Sequence, residues 1–183
     1  MSKYVTEKDL PKIKEAMKAI NALNAYFDQR VSLERVVAVD HKINEPWLKL
    51  SVMGRYYVMD GQLKKSQDGM FGIDSSHVRH FYLFSDSLFY TSKVDKHVEK
   101  PHGFIYLKHC FVRGKEDDYR NGIDLQCFDK KWKLFASTPP EHNAWFSNFK
   151  TVLEGKNEMA CLPCIKEGYK VKSFKVYGNN KIG

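Results

Sequence analysis

The first limits on this chain come from what it does not contain. No stretch approaches the ~20 apolar residues of a membrane-spanning helix, and the densest short run, Val36-Val37-Ala38-Val39, is far too brief. Four cysteines among 183 residues are too few for a disulfide scaffold, and in a reducing compartment they stay thiols. The opening residues, MSKYVTEKDL, lack the apolar core of a signal peptide, so the expected compartment is the cytoplasm. A field of one sign is also missing. The net charge of +8 divides into 8 basic and 7 acidic groups over residues 1–45, 16 and 13 over 46–154, and 6 and 2 over 155–183. Half the excess therefore lies in a short tail, and no basic surface of the kind that grips nucleic acid is implied.

What is present reads as folded. The composition, 43% hydrophobic and 28% charged, is that of a globular chain, and its length supports one sizeable core with appendages. No glycine or proline stands between Pro11 and Pro46. Within that interval Leu10, Ile13, Met17, Ile20, Phe27 and Val31 recur at three-and-four spacing, with Asn24 in the gap, and Ala16, Ala19 and Leu23 widen the stripe. This spacing predicts one helix over about residues 9–43, with Pro11 suited to its first turn and Thr6 or Asp9 to its cap. The stripe continues less regularly through Leu33, Val36, Val37 and Ile43. At ~1.5 Å per residue such a helix spans roughly 50 Å, beyond the width of a small domain. One end should project, carrying apolar surface that another body covers.

Residues 55–137 switch to short runs, mostly alternating: Tyr57-Val58-Met59, Phe81-x-Leu83, Leu88-x-Tyr90, Ile105-x-Leu107, Phe111-Val112, Ile123-x-Leu125-x-Cys127 and Trp132-x-Leu134-x-Ala136. Turn-forming clusters separate them, among them Ser85-Asp86-Ser87, Lys100-Pro101-His102-Gly103 and Arg120-Asn121-Gly122. About seven strands form an antiparallel sandwich or barrel. A helix follows: Thr138 caps, Pro139 takes the first position, Glu141 completes a capping box, and Trp145, Phe149 and Val152 or Leu153 share one face. Cys110 and Cys127 fall in strands as core thiols.

Those residues resemble a pleckstrin-homology (PH) domain. Gly61-x-Leu63-x-Lys65 is similar to the family's first strand, Arg79-x-Phe81-x-Leu83 to its second, and Leu125 to Trp145, ending TPPEHNAW, to its last two strands and single-Trp helix. The segment before it, followed by GRYYVMDGQLKK, resembles the last helix of a Dbl-homology (DH) domain running into its PH domain, as in Dbl-family guanine-nucleotide exchange factors for Rho-type GTPases. The likeness covers about residues 9–154. It implies a mainly β fold with α: a seven-stranded antiparallel PH-type sandwich or barrel capped by a C-terminal helix and preceded by one long helix. The divisions it implies are 1–45 for the DH-like helix, 46–155 for the PH domain and 156–183 for a basic tail.

The resemblance implies a binding module, without exchange activity of its own because the catalytic bundle is essentially absent. Its implied partners are a phosphoinositide or anionic membrane surface, engaged weakly, and a Rho-family small GTPase through the parent DH–PH unit. Nucleic acid and cofactors are not implied. The implied location is cytoplasmic, peripheral at the inner face of the plasma membrane. Carried over by position, the phosphoinositide-binding residues are Lys65, His77, Arg79 and Tyr90, with Lys64 pointing to the other face. The loop SQDGMFGIDSS between the first two strands adds Asp68 and Asp74 and no Lys or Arg, while Met70, Phe71 and Ile73 either enter a membrane interface or pack on the barrel mouth. The competing reading is a protein-binding PH-fold scaffold that ignores lipid. Cys161-Leu-Pro-Cys164 has zinc-knuckle spacing, but a structural zinc site needs four ligands and no second pair follows. The tail GYKVKSFKVYGNNKIG reads equally as an added strand, a basic membrane-facing stretch or a free end.

Overall fold

A computed structural model of the protein describes residues 9–43, 45–67, 75–93, 99–114, 121–127, 130–155, 163–168 and 175–177. Met70, Phe71, Ile73, Cys161 and most of the tail lie outside those residues.

Helix α1 runs unbroken from Leu10 to Ile43, 34 residues. It is followed by a linker, Glu45–Tyr56, and then by the strands β1 (Tyr57–Gln67), β2 (Ser75–Phe84), β3 (Ser87–Lys93), β4 (Glu99–Tyr106), β5 (Cys110–Gly114), β6 (Gly122–Cys127) and β7 (Lys130–Phe135). A 3-10 turn, Leu107–His109, joins β4 to β5. Helix α2 spans Pro139–Glu154, and a short strand β8, Lys175–Tyr177, ends the described chain. The sheet order is β5-β6-β7-β1-β2-β3-β4-β8. All pairs are antiparallel except β4 with β8. The seven expected strands are all present, and the eighth comes out of the tail, where sequence left three readings open.

One predicted turn is overturned. Lys100-Pro101-His102-Gly103 lies within β4, with Thr91 opposite Pro101 and Tyr90 opposite Gly103. Pro101 faces Thr91 at the register shift between β3 and β4, the kind of irregularity at which a strand tolerates proline. Gly103 is required for a different reason: a Cβ there would stand 2.6 Å from the Tyr90 ring.

The strands bury two separate cores. The first fills the barrel with Leu63, Phe81, Leu83, Leu88, Ile105 and their neighbours, and α2 closes it with Trp145, Phe149 and Leu153. The α2 cap forms at Thr138 as expected, with Glu141 reaching one residue further back than a capping box requires. Thr138 Oγ1 accepts from the Glu141 amide at 3.4 Å, and the Glu141 carboxylate accepts from the Ser137 amide at 3.1 Å. Trp145 is 2% exposed and packs on Gly61, where a Cβ would come within 3.4 Å of the indole.

The second core lies on the outer face of β2, β3 and β4. Residues that alternate with the first set, Tyr82, Phe84, Phe89, Phe104 and Tyr106, point outward and are buried as well. Their cover is Val36, Val39 and Ile43 of α1, Leu48 and Leu50 of the linker, and Cys164. Polar groups fix this joint. Arg55, 1% exposed, donates from Nε and Nη2 to the Asp86 carboxylate, each at 2.9 Å. Its Nη1 donates to the carbonyls of Lys49, Leu50 and Pro163. Lys42 pairs with buried Glu99 at 2.7 Å, and Tyr82 and Thr91 each donate a hydroxyl to Glu99 at 2.8 Å. The Asp40 carboxylate accepts from the amides of Leu50 and Ser51.

Helix α1 therefore does not carry one continuous stripe. At about 100° per residue, Ser32, Val36, Val39 and Ile43 share the sector that meets the sheet. In the earlier turns that same sector holds Lys14, Lys18, Asn21 and Gln29 with small Ala22 and Ala25. The apolar side chains there fill the sides and back instead, and they are exposed: Met17 58%, Ile20 58%, Leu23 60% and Phe27 54%.

Candidate ligand-binding site

Strands β1 and β2 pair in a register that sets Lys65 opposite His77 and Leu63 opposite Arg79. Because side chains alternate, these four share the face that includes the barrel interior. Leu63 is buried in the barrel core, Arg79 is half-buried, and His77 is exposed nearer the strand end. Lys64, one residue out of phase, is exposed on the opposite face, as alternation requires.

Lys65 does not simply extend into water. Its ammonium lies 3.8 Å from the Trp132 ring centroid and 4.9 Å from that of Tyr90. A cation over two aromatic faces gains ~0.5–2 kcal/mol and is held at a fixed place. Tyr90, 5% exposed, forms the floor of the mouth. Its ring stacks on Phe81 at 5.4 Å and meets Trp132 edge-on at 5.5 Å. The structure thus brings Lys65, His77 and Arg79 to one strand pair and sets Tyr90 beneath Lys65.

Sequence reasoning missed His102. Its ring stacks on Tyr90 with an interplanar angle of 11°, and its Nε2 lies 2.7 Å from Ser92 Oγ. Burial pushes its pKa below the ordinary histidine value, and the positive charges of Arg79, Lys100, Lys65 and His77 push it further the same way. His102 therefore reports the surplus of positive charge at this mouth. Reading residues 100–103 as a turn hid it, since a turn would not aim alternate side chains at the barrel. Trp132, read only as a core residue, is also the platform for Lys65.

Cys164 is 3% exposed, in the second core near Tyr106, and burial pushes its thiol up to about 11 despite the lowering by Arg55. That environment favours the neutral thiol rather than the thiolate a metal requires. Among the described residues no group of three or more His, Cys, Asp or Glu side chains is placed to hold a metal ion. No described helix is long and apolar enough to cross a membrane.

A second concavity, about 370 Å³, opens beside the joint between α1 and the linker. Tyr26, Leu33, Val52, Met53 and Tyr56 make most of its apolar wall, and Arg30 stands at it. Met53 is 96% exposed, so the apolar surface of α1 runs on into the linker.

The sequence profile of the PH domain matches residues 57–154. Among solved structures, the chain is similar to the DH/PH domain of human ARHGEF11 seen in a ternary complex with human RhoA and an inhibitor. That likeness has 15% identity and a TM-score of 0.60, over 85% of this chain and 49% of that one. It is also similar to Vav1 bound to an allosteric inhibitor, with 17% identity and a TM-score of 0.63 over 82% of this chain and 41% of that one. The DH/PH domains of PDZ-RhoGEF in complex with activated RhoA give 17% identity and a TM-score of 0.58, over 84% of this chain and 49% of theirs. The chain thus spans about half the length of these relatives or less. No curated protein sequence matches it.

Proposed function

The chain belongs to the PH-domain family over residues 57–154, and from that premise we propose that it is the PH module of a Rho-type guanine-nucleotide exchange factor, placing an exchange bundle against an anionic membrane. The observation that carries this reading is the outer two-thirds of α1. The apolar side chains of that part, Leu10, Ile13, Met17, Ile20, Leu23, Phe27 and Val31, are exposed, and a row of bare apolar side chains along a helix calls for another body to cover it. The likeness in fold to DH/PH units supports a DH bundle as that body, with a Rho-family GTPase as its partner.

The barrel mouth supports the lipid part of the reading. Lys65, Arg79 and Lys100 supply full charges around His102, a set suited to the phosphates of an inositol headgroup. At ~1 kcal/mol per basic residue near an anionic surface, the three contribute ~3 kcal/mol, which gives weak, reversible attachment. The proposed place of action is the cytoplasm, at the inner face of the plasma membrane.

Co-sedimentation with phosphoinositide-containing liposomes tests this. Lys65→Ala and Arg79→Ala are each expected to weaken binding about fivefold, the equivalent of ~1 kcal/mol. Binding unchanged by both would reject the mouth as the site and favour the scaffold reading. The chain alone is expected to leave nucleotide release from Rho-type GTPases at its background rate. Acceleration in a release assay would overturn the non-catalytic assignment.

A further inference from the structure

The segment after α2 returns to the far side of the molecule and is built into the joint between α1 and the barrel. Three observations place it there. The Lys49 amide donates to the Cys164 carbonyl at 2.8 Å, and the Lys166 amide donates to the Trp47 carbonyl at 2.9 Å. They flank an antiparallel bridge between Leu48 and Ile165. Second, the Pro163 carbonyl accepts from Arg55 Nη1 at 3.3 Å, so the buried Arg55–Asp86 pair is completed partly by this segment. Third, Cys164 is a buried member of the second core, and Ile165 and Val176 pack against it, while β8 covers the edge of β4 over Gly103–Ile105.

We infer that residues 163–168 and 175–177 act as a clasp that fixes the direction of α1 relative to the barrel. Helix α1 has only Val36, Val39 and Ile43 buried, a short lever foot for a 34-residue rod. The linker that follows is held from one side by Asp40 of α1 and from the other by the clasp. Undoing the clasp leaves the Leu48–Leu50 segment with fewer backbone partners and opens the second core at Cys164. A small core held by few contacts opens as a local unit, well before the barrel does. The clasp is therefore the point at which the angle of anything mounted on α1 can be released, whichever ligand the barrel mouth takes.

The test uses the full chain in a Cys161→Ser background, leaving Cys110, Cys127 and Cys164 as the thiols. Lys166 has an exposed side chain, so only its amide serves the clasp. Lys166→Pro deletes that donor, and the residue before a proline favours the extended conformation that Ile165 already has in its bridge. Lys166→Ala keeps the donor. Thiol labelling of Cys164 is expected to rise about tenfold in Lys166→Pro and to stay unchanged in Lys166→Ala. Cys110 and Cys127, both buried in the barrel core, should remain unlabelled. Amide exchange over Val36–Ile43 should accelerate together with Cys164 labelling. Unchanged labelling in Lys166→Pro would overturn the clasp. So would equal labelling of all three cysteines, which would mean that the joint has no separate opening. Labelling of Cys164 with α1 exchange left intact would show that the segment does not hold the helix, and would also overturn it.

Discussion

The two cores of this protein face each other across one sheet and are assembled on different principles. The barrel core is nearly all hydrocarbon and is closed by α2, an element adjacent in sequence to β7. The outer core draws on three distant segments (α1, the linker and, after α2, Cys164, Ile165 and Val176) and is fixed by charge: buried Arg55 with Asp86, and half-exposed Lys42 with buried Glu99. Area burial is tolerant of small errors in placement. A buried ion pair is not, because each charge left without its partner loses several kcal/mol. The barrel interior therefore holds the fold together, while the outer face fixes the angle at which a rod leaves it.

That difference can be broken or sharpened by substitution. The largest effect is expected at the plug: Trp145→Ala should lose about 4 kcal/mol, seen as one cooperative shift of the barrel's urea midpoint. Next, Asp86→Ala leaves the Arg55 guanidinium buried without its carboxylate, at about 3 kcal/mol. Its signature should be local, with faster amide exchange in Leu48–Leu50 and the second half of α1. An Asp86→Ala protein whose barrel and joint melt together, with no local phase, would erase the distinction between the cores.

Acid provides a gentler probe of the same joint. Burial alone would raise the Glu99 pKa, but hydrogen bonds from Lys42, Thr91 and Tyr82 outweigh it and hold the carboxyl below its ordinary value. A carboxylate depressed on folding contributes stability above its unfolded pKa, and that contribution fades as pH falls through the folded value. Below about pH 4.5 the joint should loosen, and Glu99→Gln should flatten that acid limb in a joint-specific exchange measurement. An unaltered limb would assign the acid sensitivity to another group.

At the mouth, His102 has the opposite sign. Its depressed pKa leaves it neutral at pH 7, so lowering pH through the histidine range adds positive charge and should strengthen binding of inositol phosphates. The same protonation disfavours the ligand-free fold, since the folded state binds that proton less readily than the unfolded one. His102→Gln should remove part of this gain in a titration between pH 7 and pH 5; an identical profile would exclude His102 as its source. The smallest effect belongs to exposed α1: Ile20→Ala should alter the stability of this chain by less than about 0.5 kcal/mol, whereas Val36→Ala should lose about 2. A comparable loss at Ile20 would mean that the helix is already covered in solution.

Much of the fold was legible because it is local. The unbroken α1, the seven strand runs and the Thr138–Glu141 cap all follow from neighbours within a few residues of one another. The two-sided sheet left a trace that alternation obscured. In Phe81-x-Leu83, Leu88-x-Tyr90 and Ile105-x-Leu107 the intervening residues are Tyr82, Phe89 and Tyr106, so the runs are continuously apolar, as strands covered on both faces are. Of the candidate site, Lys65, His77 and Arg79 were within reach through the resemblance to the first two strands of a PH domain, and the β1–β2 register sets Lys65 opposite His77 and Leu63 opposite Arg79. His102 was not, because the proline and glycine beside it signal a turn, and what admits them to a strand, the register shift opposite Pro101 and the Tyr90 ring against Gly103, is a property of the assembled sheet.

By itself, then, the sequence determined the length of the rod, the plugged barrel and the basic residues along its first two strands, since periods of 3.6 and 2 are written in the chain. Tertiary structure alone decided which side of the rod meets the barrel, how Arg55 finds Asp86 and Pro163, and where the segment after α2 goes. Those choices rest on hydrogen bonds and packing between residues separated by 31 and 108 positions, and no local pattern carries information over that distance.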